Sequence, residues 1–182
     1  MSEQLDAADA QALQRGEKAA LDRLMDRWQI PLRAYLYRHL HHEQDALDLA
    51  QETFVRVYRH REQFRPGARF STWMFQIALN LVRDHVRSRQ RRPTESLEAA
   101  PEPASGATVH GDVERSESVA AVREAIATLP DDLREAVILS EYEQLSHAEI
   151  GAVVGATPKA IETRLYRARD LLRKRLQRWI KR

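Results

Sequence analysis

Leu145-Ser146-His147-Ala148-Glu149-Ile150-Gly151-Ala152-Val153-Val154-Gly155-Ala156-Thr157-Pro158-Lys159-Ala160-Ile161-Glu162-Thr163-Arg164-Leu165-Tyr166-Arg167-Ala168-Arg169 spells out two helices and the turn between them. Ser146 as N-cap and Glu149 three residues later form a capping box, which satisfies amide donors that the first turn of a helix leaves unpaired. Gly155 ends that helix, because glycine takes a left-handed backbone without steric cost. Thr157 as N-cap and Pro158 at the first helical position open the next one, where a missing N–H is harmless and the fixed φ is already helical. The second helix is expected to bury Ile161, Leu165, Ala168, Leu172, Leu176 and Trp179 at three-to-four spacing. Lys159, Glu162, Thr163, Arg164 and Arg167 are then left outward near its N-terminal half. A capped helix-turn-helix with such groups on its second helix suits a DNA major groove.

A chain of 182 residues with 43% hydrophobic content can bury a real core, as one domain or two small ones. The formal net charge is only +2. The arginines are clustered, however, and phosphate binding responds to the local field rather than to the sum. There are no cysteines, which excludes disulfides, thiol catalysis, cysteine-ligated zinc and iron–sulfur clusters. No apolar run approaches the ~20 residues needed to span a bilayer. The N-terminal Met1-Ser2-Glu3-Gln4-Leu5-Asp6 is too acidic for a signal peptide. A soluble, cytoplasmic protein without membrane insertion is expected.

From Pro93 to Gly111 the sequence changes character: Pro93, Pro101, Pro103, Gly106 and Gly111 are mixed with Ser, Thr, Glu and Ala, without aromatic residues or helical period. This reads as a flexible linker. The blocks on either side carry three-to-four periodicity and no sustained strand-type alternation. The expected fold is therefore all-α: two small helical domains, 1–92 and 114–182, joined by a flexible linker over 93–113, the second ending in the helix-turn-helix.

In the first block, a helix from about Glu17 to Leu40 sets Leu21, Leu24, Met25 and Trp28 on one face, and Pro31 predicts a kink before Leu32, Tyr35 and Leu36. A second, from about Glu43 to Arg61, is expected to bury Leu47, Ala50, Phe54, Val57 and Tyr58. Its other face gathers Asp45, Asp48, Gln51 and Glu52. Acidic groups there match the helix macrodipole, and a solvated face explains them if the helix is taken alone. After the loop Phe64-Arg65-Pro66-Gly67-Ala68-Arg69, a long helix with Ser71 as its expected cap carries Phe70, Trp73, Met74, Ile77, Ala78, Leu81, Val82, His85 and Val86. Arg83, Arg87, Arg89, Arg91 and Arg92 crowd its C-terminal half, beyond what the dipole explains, and suit a phosphate-tracking surface.

In the second block, a helix from about Glu114 to Thr128 is expected to bury Val119, Val122, Ala125, Ile126 and Leu129, and Pro130 ends it. Leu133, Ala136, Val137 and Leu139 form the next apolar stripe. Two helical units, each ending in an arginine-rich helix and tied by a tether, make a bipartite nucleic-acid binder. Tethering makes the second contact intramolecular, at an effective concentration in roughly the millimolar range.

The chain resembles a bacterial RNA polymerase sigma factor of the extracytoplasmic-function (ECF) group over nearly its whole length. Asp45-Ala46-Leu47-Asp48-Leu49-Ala50-Gln51-Glu52-Thr53-Phe54 is similar to that family's polymerase-binding helix. Phe70-Ser71-Thr72-Trp73-Met74-Phe75-Gln76-Ile77-Ala78-Leu79-Asn80, with Asp84 and the arginines after it, is similar to its promoter-melting helix. Leu129-Pro130, Arg134-Glu135-Ala136 and the helix-turn-helix resemble its C-terminal domain.

The resemblance implies that Asp45, Asp48, Gln51 and Glu52 contact core RNA polymerase at the β′ clamp helices, with the C-terminal domain near the β flap. It implies that Phe64, Arg65, Arg69, Phe70, Trp73 and Asn80 help capture the non-template strand of the minus-ten element, with Arg83, Asp84, Arg87 and Arg89 beside the melted region. Trp73 also has a core reading, given its helical spacing with Ile77. Thr157, Lys159, Ala160, Glu162, Thr163, Arg164 and Arg167 would read the minus-thirty-five element as duplex. An anti-sigma factor is the further partner implied. Glu162 departs from the commoner pattern, since many relatives carry a basic residue there. A carboxylate repels phosphate but can accept from a cytosine amino group.

His39, His41 and His42 lie close to Glu43, but their spacing is not the i, i+4 pair of a helical zinc site, and no metal is expected. No cofactor is implied, and no catalytic set or Gly-rich phosphate loop is present, so an enzymatic role is not expected. The alternative function is a stand-alone helix-turn-helix transcriptional regulator, which binds its duplex unaided. An interaction adaptor leaves the capped turn and the arginine placement unexplained.

Overall fold

The structure, a computed structural model, describes residues 2–65, 67–91 and 110–177, the side chains of Ser2 and of 110–116 excepted. Among the described residues there are helices and no strand: α1 (Ser2–Gln14), α2 (Ala19–Leu40), α3 (Glu43–Arg59), a 3-10 turn (Arg61–Gln63), α4 (Phe70–Arg91), α5 (His110–Ala127), α6 (Asp131–Val137) continued by a π turn (Ile138–Tyr142), α7 (His147–Val154) and α8 (Pro158–Arg175). The chain divides into two compact units, the first holding α1 to α4 and the second α5, α6 and α8, with the short stretch Ala152–Gly155 grouped with the first. The expected linker lies mostly outside the described residues, and α5 begins within its last part, at His110. Trp179, expected in the core, is also outside them.

In the N-terminal unit, α2 contributes Leu24, Leu32, Tyr35 and Leu36 to the core, and α3 contributes Ala46, Ala50, Phe54 and Val57. α2 runs on through Pro31 as one helix. Its end is set by histidines: His41 takes a left-handed φ of 53° at the C-cap, and the side chain of His42 accepts from the Asp45 amide as N-cap of α3. Helix termination therefore accounts for His41 and His42, while His39 is buried beside Tyr35 with ring centroids 4.8 Å apart. No cluster suited to a metal occurs among the described residues.

Two expectations about this unit are corrected, and one is extended. Leu47 is exposed at 37%, because α3 buries the stripe of Ala46, Ala50, Thr53, Phe54 and Val57 and turns Leu47 outward. Ser71 is not a cap: α4 begins at Phe70, the Trp73 amide already bonds the Arg69 carbonyl, and Ser71 is buried within the helix. α4 also buries Phe75 and Leu79 beside the expected Met74, Ala78, Leu81 and Val82. It packs on α1, α2 and α3, so more than one face is covered.

α1 was not expected at all. Leu13, Ala10 and Ala12 pack inward, and Asp6 and Asp9 are buried with them. Arg27 Nε lies 2.7 Å from Asp6, Arg23 Nε lies 2.7 Å from Asp9, and Arg27 also bonds Asp9. Burial works against the Asp9 carboxylate, but the hydrogen bonds from Arg27 and Arg23 outweigh it and hold its pKa below the ordinary carboxylate value.

The C-terminal unit buries Ala125, Ile126, Leu129, Leu133, Ala136, Val137, Ile138, Leu139, Ile150, Ile161, Leu165 and Ala168. Val119 and Val122, expected inside, are exposed, since α5 turns only Ala125 and Ile126 of its last turns into this core. Arg134 joins α5 to α6 by donating to the Ala127 carbonyl at 3.0 Å, which satisfies an acceptor left open at a helix end.

Candidate nucleic-acid and polymerase interfaces

The helix-turn-helix forms as its caps dictate. The Ser146 amide donates to Glu149 Oε2 at 2.8 Å, and the Glu149 amide donates back to Ser146 Oγ at 3.3 Å, completing the capping box. Gly155 turns the chain with φ +77°, and the Ala160 amide donates to Thr157 Oγ1 at 3.2 Å. A second glycine does less visible work. The Ala156 amide bonds the Gly151 carbonyl, and a Cβ on Gly151 would stand 2.5 Å from the Ala156 carbonyl oxygen, so the turn closes only over a bare backbone.

On α8, Lys159, Glu162, Thr163 and Arg167 are exposed and Ala160 is half-buried. Lys159 Nζ lies 2.8 Å from Glu162, a hydrogen bond that lowers the Glu162 pKa. The carboxylate is thus paired with the ammonium of its own neighbour one turn back. Arg164 is not fully outward: its side chain is 28% exposed and lies 3.5 Å from Asp132 at the start of α6. Tyr166, which periodicity did not single out, is 76% exposed beside Glu162, Thr163 and Arg167. Its phase on the helix, between Thr163 and Arg167, places it on the surface.

In the N-terminal unit, the Phe64–Arg69 loop is anchored by its ends. Phe64 and Phe70 are buried at 2% and 1%. Trp73 packs on both, with ring centroids 5.4 Å and 6.2 Å away, yet stays only half-buried, so the core and surface readings of Trp73 each hold for part of the ring. Between the anchors, Arg65, Gly67 and Ala68 are exposed, and Gly67 has φ +82°. Phe64 and Phe70 therefore support the loop from beneath rather than line its surface. From Trp73, an exposed strip continues along α4 through Gln76, Asn80, Asp84 and Arg87, with Arg83 half-buried at its side. Arg87 and Asp84 lie 3.6 Å apart. Gln76 joins the strip by its i, i+4 spacing to Asn80, a signal the apolar reading of this helix passed over.

On α3 the expected acidic group splits. Asp45 turns toward α4, where its Oδ2 lies 3.2 Å from Arg89 and 3.2 Å from His85 Nε2. Asp48 and Gln51 are exposed, and Glu52 is half-buried with Arg56 Nε 2.9 Å away. Leu47 and Val55, at 37% and 40% exposure, lie on the same face. The carboxylates repel a phosphate backbone, and the two aliphatic side chains among them suit a protein partner.

Comparison with known proteins gives the family to which the chain is similar. Residues 24–92 match the Sigma-70 region 2 family and residues 120–172 match Sigma-70, region 4. The RNA polymerase sigma-H factor of Pseudomonas aeruginosa is 34% identical, with 97% of this chain and 96% of that protein covered. The ECF RNA polymerase sigma-E factor of Haemophilus influenzae is 30% identical over 97% of this chain and 98% of its own length. Among solved structures, CnrH in complex with the cytosolic domain of CnrY superposes with a TM-score of 0.74 at 27% identity, covering 95% of this chain and 97% of that one. The sigma factor RpoE in complex with the anti-sigma factor NepR from Bartonella quintana gives 0.70 at 25% identity, covering 86% and 96%.

Proposed function

This chain belongs to the ECF group of RNA polymerase sigma factors, which bind core polymerase, direct it to promoters and help melt them, and from that premise we propose how its surfaces divide the work. The membership disfavours the stand-alone regulator. The face of α3 with Leu47, Asp48, Gln51, Glu52 and Val55 docks on the β′ clamp helices. Asp45 is turned to Arg89 on α4 rather than to the polymerase. The C-terminal domain engages the β flap while α8 lies in the major groove of the minus-thirty-five element. There Thr163 and Tyr166 meet base edges or methyl groups, and Lys159, Arg164 and Arg167 meet phosphate or guanine. We assign the two domains to 1–92 and 114–182, tied by 93–113, with α5 reaching back into that tether to His110.

The loop and the α4 strip take the melted strand. Arg65 and Arg69 hold the backbone, an unstacked base rests against the exposed part of Trp73 at about 1 to 3 kcal/mol per base, and Asn80, Arg83 and Arg87 guide the strand along the helix. Chemistry belongs to the polymerase, and this chain is not itself an enzyme. No helix among the described residues is long and apolar enough to cross a membrane, and the protein works in the cytoplasm with the polymerase. An anti-sigma factor holds it in reserve by covering its exposed faces.

The observation that carries this reading is the segregation of surfaces: a mixed acidic and aliphatic face on α3, and a polar strip rising to a basic end on the neighbouring α4. Photocrosslinking tests it. A benzoyl-phenylalanine at Gln51 is expected to capture β′ in the holoenzyme, and one at Arg65 the non-template strand. DNA captured from position 51, or only protein from position 65, contradicts the assignment.

A further inference from the structure

α1 touches both ends of the Phe64–Arg69 loop. Gln14 Nε2 donates to the Phe64 carbonyl at 2.6 Å, where the 3-10 turn ends and the loop begins. About 16 Å away along the helix, at 1.5 Å per residue, Glu3 Oε1 lies 2.6 Å from Arg69 Nε, where the loop ends and α4 begins. α1 is itself fixed to α2 by Arg27 and Arg23 on the buried Asp6 and Asp9, and by Leu13 at 1% exposure. The helix thus lies as a splint along the loop.

We infer that α1 is the positioning element of the strand-capturing loop, with Gln14 holding its entry and Glu3 standing where a DNA phosphate would bind Arg69. The inference rests on the reading of that loop as the strand-capturing element. The two contacts differ in kind. The Gln14 bond is partly buried and joins a neutral amide to the backbone, so it sets the shape of the loop. The Glu3 contact is an ion pair at the edge of the unit, with 55% of the Glu3 side chain and 40% of the Arg69 side chain exposed, although Arg69 Nε itself is shielded from water. An exposed pair is weak, and a backbone phosphate, one charge in a polyanion, can displace the carboxylate. Glu3 therefore keeps Arg69 aimed in the free protein and yields it to phosphate, at a small penalty in affinity. That penalty falls on every sequence alike, because phosphate carries no base information.

The test is fluorescence anisotropy of the full-length chain with a fluorescein-labelled single-stranded DNA pool of random sequence, at low and physiological salt. Glu3→Gln is expected to tighten binding about two- to fivefold at low salt, and less as salt rises. Arg69→Ala is expected to weaken it, and Glu3→Gln added to Arg69→Ala is expected to bring no further gain. Loss with Arg69→Ala but no change with Glu3→Gln overturns the Glu3 assignment and leaves the loop reading standing. An equal gain from Glu3→Gln with and without Arg69 also overturns it, because the effect is then one of net charge. No loss with Arg69→Ala overturns the loop reading itself. Gln14→Ala is expected to speed hydrogen exchange of the loop amides; unchanged exchange removes Gln14 from the splint.

Discussion

The Asp45 carboxylate of α3 lies 3.2 Å from the Arg89 guanidinium of α4, so this acidic residue of the first turn faces the neighbouring helix rather than a partner. The pair is partly exposed, with side-chain exposures of 22% and 42%, and is expected to contribute about 0.5 to 1 kcal/mol. Asp45→Ala should lower the melting temperature slightly and leave affinity for core polymerase unchanged. Asp48→Lys with Glu52→Lys should do the opposite: unchanged melting and at least tenfold weaker core binding. Titration of labelled core with each variant separates the two.

Arg164 links α8 to α6 through Asp132, and a guanine contact would compete with that link. Arg164→Ala is expected to cost about 1 to 3 kcal/mol at the upstream element, concentrated at one base pair if it reads guanine. Asp132→Asn should relieve the competition and tighten upstream binding modestly. Equal loss on all duplexes for Arg164→Ala marks it as a phosphate contact.

Lys159 is occupied by Glu162 at 2.8 Å in the free protein. Glu162→Gln frees the ammonium for phosphate, and the slope of log affinity against log salt should steepen by about 1. A change in base preference without a change in slope would mean that Glu162 itself reads a base.

The turn of the helix-turn-helix depends on two glycines for different reasons. Gly151→Ala drives a Cβ to 2.5 Å from the Ala156 carbonyl and is expected to destabilise the C-terminal unit by about 1 to 3 kcal/mol. Gly155→Ala meets no atom but forces alanine to φ +77°, for about 1 to 2 kcal/mol. Thermal unfolding of each variant measures both.

Acid should loosen α1 before the rest of the N-terminal unit. The folded pKa of Asp9 lies below its ordinary 3.8. Its contribution is therefore complete above that value, begins to fade as pH drops past it, and is gone once pH has fallen through the lowered folded pKa. Amide chemical shifts of α1 should move in that window, and Asp9→Asn should abolish the pH dependence.

Local signals were the legible ones. Ser146, Glu149, Gly155, Thr157 and Pro158 each act within a few residues, so the helix-turn-helix could be read from them alone and its hydrogen bonds follow. α1 was hidden because its inward face is made of Ala10, Ala12, Leu13 and two carboxylates, and Asp6 and Asp9 look like surface until Arg23 and Arg27 on another helix are seen to meet them. Periodicity assumes one buried stripe per helix. That assumption missed Phe75 and Leu79 on α4, which is covered on several sides, and chose the wrong phase for Leu47. Likewise no local rule separates Asp45 from Asp48; only the position of Arg89 does.

Run-off transcription with core RNA polymerase on a promoter library tests most directly whether this chain confers promoter selection through two tethered readers. Transcripts that require the protein, from templates sharing two sequence elements at one spacing, are the predicted result, with the upstream element lost when α8 is altered and the downstream one when the loop is. Transcription that is independent of the protein, or templates enriched for a single element bound equally well without core polymerase, would contradict it.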